Sequence, residues 1–304
     1  MAIKVEEIIT QRIIELLEKG TVPWHRPWKS VNGQYQFPPA NGVSLKPYRG
    51  VNVFLLSVQS YGSPFWVTYK QAQQLGGTVR KGEKGTQIIF WKINPRTKQN
   101  EAGEEEEYKS VVLRYYVVFN LEQTEGCTLP KRAQVPVDGK DDSAVEFDPI
   151  AACEAVYQHM PSKPALQHAG GQAFYSKSQD FIRLPERKAF DSGEEYYSTL
   201  FHEMVHSTGA KHRLDRKTLV DAVAFGDTNY SKEELVAEMG ASFLAGHTRI
   251  EHKTLANSAA YLAHWIAKLK SEPKLVITAA SAAQKAVDFI LDLKAAEQSQ
   301  DEAA

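Results

Sequence analysis

Two histidines four positions apart, His202 and His206, with Glu203 between them, lie in the run Tyr196-Tyr197-Ser198-Thr199-Leu200-Phe201-His202-Glu203-Met204-Val205-His206. Apolar residues recur there every three to four positions, so the segment is expected to be a helix. A helix brings side chains four apart onto one face, about one turn from each other. Two imidazoles so placed can share one tetrahedral cation, while the adjacent carboxylate can take a proton from water. Such a site needs a third protein ligand, so the motif demands a second element packed across this helix.

Downstream, Glu233-Glu234-Leu235-Val236-Ala237-Glu238 offers the missing carboxylate on another helical segment. Glu234 and Glu238 share a face, so one can bind the cation while the other accepts the outer N–H of a ligating imidazole. The Glu-x-x-Ala-Glu spacing resembles the Glu-x-x-Ala-Asp element of zincins, in which the first carboxylate is the ligand. Glu234 is therefore the expected ligand, Glu238 stands behind it, and Glu233 points elsewhere. Gly209 is expected to end the motif helix in a left-handed turn. A zinc ion held by three ligands acidifies water and polarises a carbonyl, and another divalent ion such as Mn2+ is the alternative. His212 and Tyr230 are candidates for assisting an oxyanion or binding substrate; His159, His168, His247, His252 and His264 have no partner pattern and read as structural.

The rest of the chain divides in two. Its 304 residues are enough for two cores. No apolar run approaches the roughly 20 residues of a membrane span, so no membrane segment is expected. The opening MAIKVEEIITQRIIELL lacks the features of a secretory leader and reads as an amphipathic helix over 3–19 that Gly20 ends. Two cysteines, Cys127 and Cys153, have no metal-ligand spacing, and a reducing cytoplasm is the expected location. From 24 to 120, runs such as VNVFLL, TQIIFW and LRYYVVF suggest strands plus one helix near 69–75. Beyond a linker, helical periodicity marks AACEAVYQHM and residues 194–209, 231–247, 254–270 and 278–296, with Ser231 as an N-cap. QAFYSKSQDFIRLP reads as two strands turning at Ser176 to Gln179. The fold class expected is α+β, with an N-terminal domain over 1–125, a linker over 126–146, a mainly helical domain over 147–296 and a disordered tail over 297–304.

Charge separates the halves further. Twelve Lys or Arg lie between Lys19 and Lys98 against one acid, Glu83, although the whole chain has a formal net charge of -1. The same stretch holds four of the five tryptophans. Cations that follow phosphates, interleaved with rings that stack on unpaired bases, suit single-stranded nucleic acid. The candidates are Trp24, Arg26 and Trp28 in PWHRPW, Tyr48, Arg49, Trp66, Lys70, Gln71, and the cations Arg80, Lys81 and Lys84. The competing reading places these rings in a small core.

With these residues in view, the chain resembles the ArdC antirestriction proteins of conjugative plasmids. The likeness runs through PWHRPW, PYRGVNVFLL, WVTYKQAQQLGG, VRKGEKGTQIIFW and YYVVFNLEQTEG, then DFIRLP, LFHEMVHSTG, HRLDR, EELVAEMGASFL and AAYLAHWIAKLK. It implies an N-terminal single-stranded-DNA-binding domain and a C-terminal zincin-like metallopeptidase domain in a protein that shields incoming DNA from host restriction. His202, Glu203, His206, Glu234 and Glu238 stand where that family's motif has them. Two functions follow as expectations: a zinc peptidase acting on a DNA-associated protein substrate, or a DNA-coating protein whose metal domain is structural or regulatory.

Overall fold

The computed structural model describes residues 4–25, 30, 31, 34, 35, 37–59, 61–99, 105–130, 148–220, 228–250 and 259–293. Most of the expected linker, and the tail, lie outside them.

The first helix, α1 (Val5–Glu18), buries Ile9, Ile13, Ile14 and Leu17 at three- and four-residue spacings, and Gly20 turns the chain with φ 77°. Short strands β1 (Ser30–Val31), β2 (Gln34–Tyr35) and β3 (Ala40–Asn41) lead to α2 (Val51–Ser57). This is the VNVFLL run, expected as a strand; it is a helix with all of Val51 to Leu56 buried, so no exposed polar face marked its period. After β4 (Phe65–Val67), helix α3 (Tyr69–Gln74) opens on a reciprocal cap: the Gln71 amide N–H donates to Thr68 Oγ1 at 3.2 Å and the Thr68 N–H to Gln71 Oε1 at 2.9 Å.

Next come β5 (Thr78–Val79), the long hairpin of β6 (Thr86–Gln99) and β7 (Glu105–Asn120), and β8 (Thr124–Glu125). The hairpin register runs from Thr86↔Val118 to Gln99↔Glu105. One sheet has the order β3-β4-β7-β6, with β3 parallel to β4 and the other neighbours antiparallel; β5 pairs with β8 and β1 with β2.

The second half begins with α4 (Pro149–His159), capped by Asp148, and a three-stranded sheet of order β10-β11-β9, from β9 (Ala165–His168), β10 (Phe174–Ser176) and β11 (Phe181–Leu184). Helices α5 (Gly193–Thr208), α6 (Lys217–Val220), α7 (Thr228–Thr248), α8 (Ala259–Ser271) and α9 (Leu275–Ile290) follow. Ser231 lies inside α7 and is not its cap, since the helix starts three residues earlier. Helix α7 is buried on nearly every side from Glu233 to Ala245, as a central helix must be.

The main core does not respect the division of the sequence. One cluster joins α1, Trp24 and α2 to α5, α7, α8 and α9, whereas Tyr48, Leu56, Trp66, Ile88 and Val118 form a small separate one. Phe54 of α2 stacks on Phe243 of α7 with centroids 4.7 Å apart, and Arg49 pairs with Asp288 of α9. Asn52 acts as a strand surrogate for the edge of β6, donating to Ile89 O at 2.7 Å and accepting from Ile89 N at 2.9 Å.

Candidate metal centre and nucleic-acid face

Helix α5 starts where Ser192 Oγ accepts the Glu195 N–H at 3.2 Å, with Glu194 and Glu195 at the positive end of the helix dipole. It packs on β10, β11 and α7. The crossing with α7 is close because Gly240 has no side chain: a Cβ there would stand 2.7 Å from Val205. That approach carries Glu234 to the two imidazoles. His202 Nε2 and His206 Nε2 are 3.1 Å apart, Glu234 Oε2 is 3.4 Å from the first, and Glu234 Oε1 is 3.5 Å from the second. A tetrahedral ion with bonds of about 2.0–2.1 Å holds its donors about 3.4 Å apart, so this set of two imidazoles and a carboxylate fits a divalent ion. Among the described residues it is the group of three or more His, Cys, Asp or Glu that could hold one. Glu203 is buried on the same helix.

The surroundings of the two acids flanking Glu234 correct the expectation. Glu233, expected to point elsewhere, lies 3.4 Å from His206 Nδ1, with its other oxygen accepting from Arg216 Nε at 3.2 Å and Thr218 Oγ1 at 2.6 Å. It occupies the outer position that had been given to Glu238. Burial opposes its charge, but His206 and Arg216 outweigh burial and hold its carboxyl down to about 2. Burial likewise opposes a charged His206, yet Glu233, Glu234 and Glu203 push it up to about 10. Glu238 instead accepts from Trp24 Nε1 at 2.9 Å and from the Tyr261 hydroxyl, and burial raises its carboxyl above the usual range despite both bonds. The reason is position on the helix: Glu238 is one turn further along than Glu234, where α8 and the Trp24 segment meet it, while Glu233, one residue before Glu234, is turned towards the loop that follows α5.

Gly209 is also corrected. Its φ is -73°, so it makes no left-handed turn; its role is space, since a Cβ would lie 2.8 Å from Leu219 and 3.0 Å from Arg216 Nη2. His212 pairs with Asp180 at 3.3 Å on the surface. Tyr230, one turn before Glu234, has its hydroxyl pushed up by burial and by the Glu234 and Glu203 carboxylates, which places it beside the cluster.

The basic half divides between core and surface. Trp24, Trp66, Tyr48 and Gln71 are buried, at 0%, 2%, 7% and 4% exposure, so as placed they cannot stack on a base or reach a phosphate. Trp24 stands edge-on to Trp265, and Gln71 closes the α3 cap. Arg49 is taken by Asp288. Arg26 and Trp28 lie outside the described residues. Lys70, Arg80, Lys81 and Lys84 are exposed, with Arg80 bonded to Glu83 at 2.9 Å. Exposed rings stand elsewhere, at Tyr69, Trp91 and Tyr115, with Arg114 also exposed. Tyr115 and Arg114 were missed; the alternation in LRYYVVF was the available signal, but alternation alone does not say which face is covered.

A sequence profile of the N-terminal domain of anti-restriction factor ArdC matches residues 3–119, and one of a zincin-like metallopeptidase matches residues 152–282. The crystal structure of the antirestriction ArdC protein from the R388 plasmid, in its metal-free form, superposes with a TM-score of 0.71 at 34% identity, covering 98% of this chain and 100% of that one.

The chain belongs to the ArdC antirestriction family.

The Mn(II)-bound ArdC structure from the same plasmid matches with a TM-score of 0.69 at 31% identity over 97% of this chain and 100% of that one, and with the zincin-like domain it supports a divalent metal in the family. An uncharacterized protein y4eC of Sinorhizobium fredii is 32% identical over 93% of this ArdC-family chain and 90% of its own length. DNA primase TraC of Escherichia coli is 37% identical over 94% of the chain, which spans only 27% of TraC. As in the ArdC profile pair, the fold is two-domain and mixed in helix and sheet. Among the described residues no helix is long and apolar enough to cross a membrane.

Proposed function

We propose that this ArdC-family chain binds single-stranded DNA without sequence preference and is a zinc peptidase acting on a protein near that DNA, in the service of protecting incoming plasmid DNA from restriction. The observation that carries the reading is the convergence of His202 Nε2, His206 Nε2 and Glu234 on one point, with buried Glu203 on the same helix. The division into 1–125 and 147–296 with a linker between them belongs to the same reading.

His202, His206 and Glu234 would hold the ion, and Glu233, fixed by Arg216 and Thr218, orients His206 from behind. When bound, the ion supplies an acidified water and a polarised carbonyl. Glu203 takes the proton from attacking water and returns it to the leaving amine. Phosphates meet Lys70, Lys81 and Lys84, and bases meet the exposed rings Tyr69, Trp91 and Tyr115.

Glu203→Gln tests the chemistry: metal content should be retained and cleavage of a DNA-associated protein abolished. Cleavage at the parental rate would sink the peptidase. The DNA-coating reading is favoured by the exposed cations and rings standing on elements other than α5 and α7; it predicts that the same variant protects DNA as well as the parent. For binding, log affinity should fall against log salt by about 0.7 per phosphate neutralised, and single strands should bind more tightly than duplex.

A further inference from the structure

Between the hairpin and α9 lies a cavity of about 590 Å³, within the size range of small-ligand sites. Trp91 of β6 forms one wall, two-fifths exposed. Leu214 and Ile277 give it apolar lining, and Ser281 and Lys285, one turn apart on the exposed stripe of α9, line it as well. Lys285 has no ion pair among the described residues. The acid on the rim, Asp215, is 3.8 Å from Lys217. The register pairs Trp91 with Leu113 and Ile89 with Tyr115, so the exposed Trp91 and Tyr115 rings are diagonal neighbours on one face of the hairpin. A strand stacked on Tyr115 therefore has a second ring beside it, and that ring lines the same cavity as Lys285.

We infer that this cavity is a nucleotide subsite: one base of a DNA single strand lies on the Trp91 indole above Leu214 and Ile277, with its edge at Ser281 and its phosphate at Lys285. The inference rests on the DNA-binding reading above and locates one step of the strand's path. It takes the strand off the N-terminal domain and onto α9, in a cavity that is also lined by Asp215 and by Arg216, whose guanidinium holds Glu233. An exposed indole and an ammonium with no ion pair among the described residues, lining one cavity, are the combination that sequence-tolerant base stacking uses.

The test is anisotropy of a labelled oligo-dT with the full chain, alongside cross-linking of an iodouracil-substituted oligo-dT mapped by mass spectrometry. Trp91→Ala should weaken binding by about tenfold or more. Lys285→Ala should lower the salt slope by about 0.7. Ser281→Glu, on an exposed helix face where folding is not at stake, should weaken binding by putting an anion in the subsite, and the cross-link should map to Trp91. If the parent binds oligo-dT but all three variants bind it equally and the cross-link maps elsewhere, the subsite is wrong while the DNA reading survives. If the parent does not bind oligo-dT at all, both fall. Loss of peptide cleavage in Trp91→Ala with unchanged DNA affinity would assign the cavity to a peptide and overturn the inference.

Discussion

Each imidazole of the pair has a second nitrogen, and what that nitrogen meets decides how firmly the first is aimed. For His206 it meets Glu233, itself held by Arg216 and Thr218. Glu233→Gln should therefore lower affinity for Zn2+ or Mn2+ by about 10- to 100-fold in a chelator competition, without unfolding the chain. An unchanged affinity would show that His206 is oriented by its helix alone. Gly209→Ala should act in the same direction through Arg216, because its Cβ would crowd that guanidinium and Leu219 at 3.0 and 2.8 Å. Away from the centre, Glu154 accepts from Tyr197 at 2.6 Å and from Arg187 at 2.9 Å. The Tyr197 and Gln158 hydrogen bonds outweigh burial, and with Arg187 they hold its carboxyl down to about 2 from 4.5. A depressed acid stabilises the fold above its unfolded value, so this contribution is complete above about pH 4.5 and fades as pH falls towards 2. Denaturant midpoints of Glu154→Gln should accordingly show a shallower acid limb than the parent, and matching limbs would remove the ion pair from the account.

At the scale of elements, the centre depends on how near α7 comes to α5. Gly240 sets that distance against Val205. Gly240→Ala would force the helices apart by a few tenths of an ångström or more, carrying Glu234 away from both Nε2 atoms, and metal affinity should drop. Val205→Ala in the same chain should restore much of it by making room for the new methyl, whereas alone it costs packing. Affinity measured for the two single variants and the pair checks this: additive losses would mean that the contact does not position Glu234. The same scale explains α2. Its six buried residues include a single polar one, Asn52, and so short a run without a clear period reads equally as strand or buried helix. By contrast α1 and the β10–β11 turn announced themselves, because one has an exposed and a covered side and the other a clear break, and α5 did so by its apolar spacing and its motif.

Over the whole molecule, the two sequence halves are joined by a common core. Phe54 lies flat on Phe243, Trp24 donates to Glu238 one turn beyond Glu234, and Arg49 pairs with Asp288. Thermal unfolding of both halves should then be one transition, and Phe54→Ala, costing about 3–5 kcal/mol, should lower it as a unit. Two separated transitions in calorimetry, with only one moved by the variant, would contradict a shared core. The aromatics that suggested a binding surface were real as a count but not as a map, since Trp24, Trp66 and Tyr48 went inside with Gln71 while Tyr69, Trp91 and Tyr115, and the cations Lys70, Lys81 and Lys84, stayed out. The sequence by itself determined what depends on spacing along one element: the helix of the motif, the facing of His202 and His206, and the family. Only the tertiary structure decided what depends on which elements meet, namely that Glu234 is the carboxylate brought to the imidazoles, that Glu233 and not Glu238 backs His206, and that the core crosses between domains. Neighbours along a helix are fixed by its pitch, but neighbours across an interface depend on side-chain volumes such as the missing Cβ of Gly240, which no local pattern records.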